Sequence, residues 1–162
     1  MQYKRFEDLP VWRDSVELAR SMYEFAALDT FRRHPGLRDQ LERAALSVSN
    51  NIAEGFERGT TNELLAFLYI ARGSAGEVRS MMRVLQTWDI FSNCRSQISN
   101  FIIQCEKISK QLYGWIESLK NSEITGQRRL DNKAKNRYAN KKEQEQFLEE
   151  LRRVSAKPEK ES

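Results

Sequence analysis

Four stretches of this chain repeat apolar residues at steps of three and four, and this spacing constrains the fold more than any other feature. At about 100° per residue, such spacing puts each set on one face of an α-helix. Four helices of about 20 to 28 residues with short connections predict an all-α, antiparallel up-and-down four-helix bundle over residues 1–120. The four series are Leu9, Trp12, Val16, Ala19, Tyr23 and Ala26; Leu37, Leu41, Ala44, Val48 and Ile52; Leu64, Phe67, Ala71, Val78 and Leu85; and Ile98, Ile102, Cys105, Ile108, Leu112, Trp115 and Leu119.

Capping residues mark two of the predicted helix starts. Asp8 is expected to cap the first helix, because Pro10 suits the first helical turn that follows it. Thr60 or Thr61 is expected to cap the third helix, with Glu63 in its first turn.

Residues 121–162 have a different composition and are predicted to form a charged, largely flexible tail. Residues 121–142 contain seven Lys and Arg and two acidic residues, whereas residues 143–162 contain four Lys and Arg and six acidic residues. Three of the few apolar residues, Phe147, Leu151 and Val154, share one face of a short helix that could form over 141–154. An isolated helix of this length is marginal in water, so the tail is expected to order only on a partner.

Several classes of function are disfavoured by residue types. The single histidine, His34, precludes a histidine-based di-metal site in one chain, and its place in a Pro-Gly turn disfavours Ser-His-Asp or Cys-His catalysis. Cys94 and Cys105 would lie about 16 Å apart on one helix, beyond disulfide reach. The longest apolar run, Leu64 to Ala71, is far shorter than a membrane span. We therefore expect a non-enzymatic protein with no metal, cofactor or membrane partner, in the cytoplasm because the sequence shows no signal peptide.

The segment SVSNNIAEGFERGT, residues 47–60, interrupts the apolar pattern with small and polar residues. Helix three contains a second run that is rich in small residues, ARGSAGE, at residues 71–77. Its two glycines lie inside the helix, where each costs about 1 kcal/mol relative to alanine. Close approach of helices two and three would account for them, with polar side chains fixing the register across the seam. The residues assigned to this crossing are Asn51, Glu54, Gly55, Gly73, Ser74 and Glu77. The alternative, a partner-binding patch of Asn50, Asn51, Glu54 and Arg58, is less favoured.

Helix three carries two further sets of residues off its core stripe. Ile70, Met81 and Trp88 predict either an oligomer interface, which is favoured, or the edge of a wide core. Arg72, Arg79 and Arg83 align on the other flank, where repetition around an oligomer would strengthen attraction for phosphates. The candidate nucleic-acid-binding residues are Arg58, Arg72, Arg79, Arg83, Arg128, Arg129, Lys133, Lys135 and Arg137. Aromatic platforms for stacking bases are not expected, because most aromatic residues fall on core faces.

Three segments together resemble a known family. FEDLPVWRDSVELARSMYEF, GLRDQLERAALSVSNNIAEGFERGT and ELLAFLYIARGSAGEV, in this order and spacing, are similar to four-helix-bundle proteins encoded in intervening sequences of bacterial 23S ribosomal RNA genes. That family resembles in turn the accessory variability determinant (Avd) of diversity-generating retroelements. The resemblance covers residues 6–85 closely, and NIAEG, residues 51–55, is specific only in combination with the flanking segments.

The resemblance implies a homopentameric four-helix bundle with a basic surface, a nucleic-acid-binding role and, in the retroelement relatives, a reverse transcriptase partner. Ser49 stands where many members have proline, which should leave helix two unkinked. The net charge of +4 permits such a role without requiring it. We expect an oligomer that binds structured RNA; the alternative is a protein-interaction scaffold that binds no nucleic acid and docks its tail helix on a partner.

Overall fold

The protein forms a four-helix bundle in the computed structural model, which describes residues 3–121. Short 3-10 turns at Phe6–Asp8, Asp29–Arg33 and Asp89–Cys94 precede three of the long helices. Each helix packs against the next along the chain, and the first also packs against the last, which confirms the predicted antiparallel bundle. The expected tail helix over 141–154 lies outside the described residues. The long helices are α1 (Pro10–Ala26), α2 (Pro35–Glu57), α3 (Thr61–Gln86) and α4 (Arg95–Lys120).

The helix cap predicted from the sequence is present at α3 but not at α1. The Thr60 hydroxyl accepts a hydrogen bond from the Glu63 backbone amide at 3.2 Å and donates one to the Glu63 carboxylate at 2.8 Å. The first contact satisfies an amide that the helix start would otherwise leave unpaired, and the second fixes the Thr60 hydroxyl in place. The prediction for Asp8 is wrong, because Asp8 lies in the preceding 3-10 turn and Leu9 occupies the cap position without a side-chain hydrogen bond.

Aromatic rings close one end of the bundle. Phe25 of α1 lies 5.3 Å from Phe31 and 5.3 Å from Phe101 of α4, measured between ring centroids. Phe31 in turn lies 5.0 Å from Phe91, which precedes α4. All four rings are buried, so both connections at this end are anchored in the core.

The buried stripe of α1 differs from the predicted one. Val16 and Tyr23 are 39% and 44% exposed, although the sequence placed them in the core. Two overlapping sets of residues at helical spacing exist in this segment. The bundle buries the set that contains Leu18 and Met22, and leaves exposed the set that contains Val16 and Tyr23. Ser15 tolerates burial because its hydroxyl donates to the Val11 carbonyl at 2.6 Å. The buried residues of α1 are Val11, Ser15, Leu18, Ala19, Met22, Phe25 and Ala26.

A polar cluster joins α1 to α4. The Asp14 carboxylate accepts a hydrogen bond from the Gln111 amide at 2.6 Å and lies 2.8 Å from the Lys107 ammonium. Burial by itself would raise the pKa of Asp14, but the hydrogen bonds from Lys107 and Gln111, with the Lys107 charge, hold that pKa below its usual range. The ionised carboxylate therefore contributes to the packing of α4 on α1.

Substitution of Asp14 by alanine is expected to lower the free energy of unfolding by about 1 kcal/mol, because it removes two hydrogen bonds to a charged acceptor at a site that water partly reaches. The contribution is fully present above the ordinary aspartate pKa of about 4 and is lost as pH falls through the lower pKa of the folded state. Urea unfolding at pH 7 and at pH 3 measures it. The control is Glu17→Ala, whose exposed pair with Arg20 should change stability by less than about 0.5 kcal/mol. An equal effect of Asp14→Ala at both pH values would contradict this assignment.

Candidate nucleic-acid interface

The surface along the seam between α3 and α4 is rich in cations. The spacing of Arg72, Arg79 and Arg83 along α3 places all three beside α4, where they meet Ser109 and Glu106. We define the α3–α4 face as Tyr69, Arg72, Arg79, Arg83, Glu106, Lys110, Tyr113, Glu117 and Lys120. Its five cations and two carboxylates give this face a local excess of three positive charges.

Two of the three predicted arginines share one acid. Guanidinium nitrogens of Arg79 and Arg83 lie 3.9 Å and 3.7 Å from the same Glu106 carboxylate oxygen. The three side chains are 39% to 58% exposed, so these contacts are weak and screened by salt. One carboxylate neutralises only one of the two guanidinium groups, which leaves a net positive charge here that a phosphate could approach.

Arg72 is held without an acidic partner. Its guanidinium donates a long hydrogen bond to the Ser109 hydroxyl at 3.4 Å, and its central carbon lies 5.1 Å from the centroid of the Tyr113 ring. Among residues 3–121, no carboxylate lies within salt-bridge distance of it. The Arg72 charge is therefore oriented by α4 but not neutralised.

Arg58 lies apart from these residues, at the turn between α2 and α3. Its guanidinium pairs with Glu54 one helical turn earlier and lies 3.8 Å from Glu63 and 5.1 Å from the centroid of the Phe67 ring. The hydrogen bond with Glu54 raises the pKa of Arg58 against the opposing effect of burial. Two carboxylates and an aromatic ring hold this arginine at the turn, so Arg58 is not a member of the α3–α4 face.

The remaining predicted contacts with nucleic acid lie beyond the described part of the chain. They are Arg128, Arg129, Lys133, Lys135 and Arg137.

A close approach of α2 and α3 occurs at Gly55. A Cβ atom at this position would lie 2.7 Å from the Phe67 Cβ and 3.2 Å from the Leu64 Cδ1. By contrast, a Cβ at Gly73 or Gly76 would meet nothing within 4 Å. The prediction that the α3 glycines serve this crossing is therefore wrong, because they lie off the side of α3 that packs on α2.

Polar side chains also make contacts between α2 and α3, and the sequence predicted only some of the residues involved. Hydroxyls of Ser47 and Ser74 lie 2.9 Å apart, and the Asn51 amide donates to the Ser47 hydroxyl at 2.9 Å. The Gln40 amide donates to the Glu77 carboxylate at 3.3 Å. Ser74 and Glu77 thus contact α2 directly, whereas Asn51 acts through Ser47. Glu54 pairs with Arg58, in the turn that follows α2, instead of with a residue of α3.

The off-stripe apolar residues of α3 separate into two groups. Ile70 is 51% exposed, on the outer side of the helix. Met81 packs partly against the core, and the Trp88 ring lies 4.9 Å from His34 and 5.8 Å from Phe91, measured between centroids. For Met81, the edge of the core therefore accounts for the apolar character that the sequence assigned to an oligomer interface. Trp88 lies just after α3 and stays 39% exposed, so its place in an oligomer interface remains a prediction.

The part of the chain that the structure describes, residues 3–121, holds neither a metal-binding cluster nor a reactive buried thiol. No cluster of three or more His, Cys, Asp or Glu residues there could hold a metal ion. Burial raises the pKa of the Cys105 thiol to about 12, so it stays protonated and a poor nucleophile at neutral pH. None of the four helices in 3–121 has the length and apolar character needed to cross a bilayer.

The family follows from one comparison. Residues 7–114 match the sequence profile of the 23S rRNA-intervening sequence proteins. The chain belongs to this family. The matched range contains all of α1, α2 and α3 and most of α4, so the family relationship extends over the α3–α4 face except Glu117 and Lys120. This family is not a known family of enzymes.

A solved structure shares the fold. It is a protein of unknown function from the S23 ribosomal protein family of Bacteroides thetaiotaomicron, 20% identical in sequence, with a TM-score of 0.59. The alignment covers 66% of this chain and 98% of that chain. At this identity the likeness shows the fold alone. A search of curated proteins found no match.

Tyr69 and Tyr113 are members of the α3–α4 face that sequence reasoning missed. They are 44% and 51% exposed, and each ring lies beside a cation. The available signal was their spacing, because Tyr69 precedes Arg72 by one helical turn and Tyr113 follows Lys110 by one turn. The sequence placed most aromatic residues on core faces, and these two tyrosines lie outside that majority.

Proposed function

We propose that this member of the 23S rRNA-intervening sequence family is a non-enzymatic, homo-oligomeric protein of the cytoplasm that binds structured RNA. The observation that carries the proposal is the α3–α4 face, with its excess of three positive charges and an Arg72 that has no acidic partner within 3–121. Arginines at exposed positions suit contacts with phosphates, which supply affinity without reading bases.

Filter binding of the full chain to a structured RNA hairpin, at about 50 mM and 200 mM salt, tests the proposal. Binding should be clear at low salt and should weaken steeply at high salt, because each phosphate contact releases counterions. Absence of binding at low salt would contradict it. The finer form of the proposal makes the protein the accessory subunit of a reverse transcriptase, as in the retroelement relatives that the sequence resembles.

Self-association is supported by the outer side of α3. Ile70 and Val84 are 51% and 59% exposed there, and Gly73 lies between them with open space where a Cβ would project. A mid-helix glycine costs about 1 kcal/mol relative to alanine, and no contact within 3–121 requires it at this position. A second copy packed closely against this side would account for both the exposed apolar residues and the glycine. A pentamer is the expected assembly, from the family resemblance.

Light scattering at micromolar concentration should give about five times the 19.0 kDa of one chain. Ile70→Lys should shift the protein to smaller species with unchanged helix content, because a lysine is costly inside an apolar interface but harmless at an exposed position. Val16→Lys, on the exposed side of α1, is the matched control and should leave the mass unchanged. A 19.0 kDa wild-type species would contradict self-association.

A further inference from the structure

Two tyrosine–cation pairs lie next to each other at one end of the α3–α4 face. The central carbon of the Arg72 guanidinium lies 5.1 Å from the centroid of the Tyr113 ring, and the Lys120 ammonium lies 5.6 Å from that of Tyr69. The Lys120 ammonium also donates a hydrogen bond to the Glu117 carboxylate at 2.9 Å, one helical turn earlier on α4. Because α3 and α4 run antiparallel, the two pairs occupy neighbouring levels along the seam.

Packing does not account for the two rings. Tyr113 and Tyr69 keep 51% and 44% of their surface exposed, and neither belongs to the buried core or to the apolar residues packed against it. Ring–cation pairs at exposed sites contribute little to folding. The rings are therefore available to a ligand that offers a flat π surface and negative charge together.

An unpaired nucleotide has both properties. Its base can stack on an aromatic ring, while its phosphate meets a cation beside that ring. A base inside a duplex is already stacked and paired, so the same rings gain nothing from it. Tyr69 and Arg72 are separated by one turn, about 4.5 Å along α3, so the two pairs lie close enough to serve neighbouring nucleotides of one strand.

We propose that Tyr113 with Arg72 and Tyr69 with Lys120 form a stacking platform for unpaired nucleotides of RNA. This inference rests on the proposed function and adds to it the kind of RNA that is recognised. The bases stack on the tyrosine rings, and Arg72 and Lys120 contact the adjoining phosphates. RNA with loops or single-stranded segments is then preferred to a continuous duplex.

The test compares an unpaired oligouridine of 12 nucleotides with a 12-nucleotide abasic strand and a 12-base-pair RNA duplex, each titrated into the full chain. The abasic strand keeps the phosphates and lacks the bases, so it isolates stacking from charge. Wild-type protein should prefer oligouridine over the abasic strand by about thirtyfold or more, the scale of two stacked bases. Tyr113→Leu should lower that preference by about fivefold or more, the share of one ring, while leaving affinity for the abasic strand and the duplex unchanged.

Tyr113→Phe is the matched variant, because it keeps the ring and should keep the preference. Tyr23→Leu, at an exposed ring on α1, should change nothing. Equal binding of oligouridine and abasic strand by wild-type protein, or full preference retained in Tyr113→Leu, would overturn the platform while leaving the proposed RNA binding intact. Absence of binding to all three ligands at low salt would overturn the proposed function as well.

Discussion

Replacing Gly55 with alanine is expected to lower the free energy of unfolding by about 1–3 kcal/mol, although alanine favours helices by about 1 kcal/mol over glycine. The added Cβ would lie 2.7 Å from the Phe67 Cβ, closer than carbon atoms approach in folded proteins. A Cβ is fixed to the backbone, so relief requires α2 and α3 to move apart. That movement would disturb the buried Leu64 as well.

Urea unfolding followed by circular dichroism measures this effect. Gly114→Ala is the matched control, because Gly114 is also inside a long helix and a Cβ there would meet nothing within 4 Å. We expect the control to be more stable than wild type by about 0.5–1 kcal/mol, from helix propensity alone. Equal gains in stability for both variants would show that α2 and α3 are not in close contact at Gly55.

The fold could be predicted because each helix repeats its apolar residues over several turns. The break after α1 and the Thr60 cap are local signals that packing did not override. The exception was α1, where two interleaved sets fit a helical stripe equally well. Only the neighbouring helices decide that Leu18 and Met22 are buried while Val16 and Tyr23 are exposed.

The site was less predictable, because it depends on which side chains of different helices meet. Sequence spacing aligned Arg72, Arg79 and Arg83, but it could not show that Glu106 of α4 serves two of them. The close crossing at Gly55 was anticipated, since a run of small residues in a helix indicates close contact with a neighbouring helix. The same reasoning failed at Gly73, because a glycine can face open space as well as a neighbour.

Combined substitution of Arg72, Arg79 and Arg83 by alanine is expected to weaken RNA binding about a hundredfold at low salt, if each arginine makes one phosphate contact. Folding should change little, because the pairs with Glu106 are exposed and weak. The matched control replaces Arg20, Arg32 and Arg38, which lie off the α3–α4 face and pair with nearby acids. Both triple variants lose the same formal charge, so a difference between them reports position and not net charge.

The dependence of RNA affinity on salt tests the central claim most directly. The slope of log K against log salt should be shallower by about 2 in the Arg72, Arg79 and Arg83 variant, since each lost phosphate contact removes about 0.7–0.9. The control variant should keep the wild-type slope to within about 0.5. If both variants keep the wild-type slope, or if the slope becomes shallower by the same amount in both, RNA does not bind through the α3–α4 face.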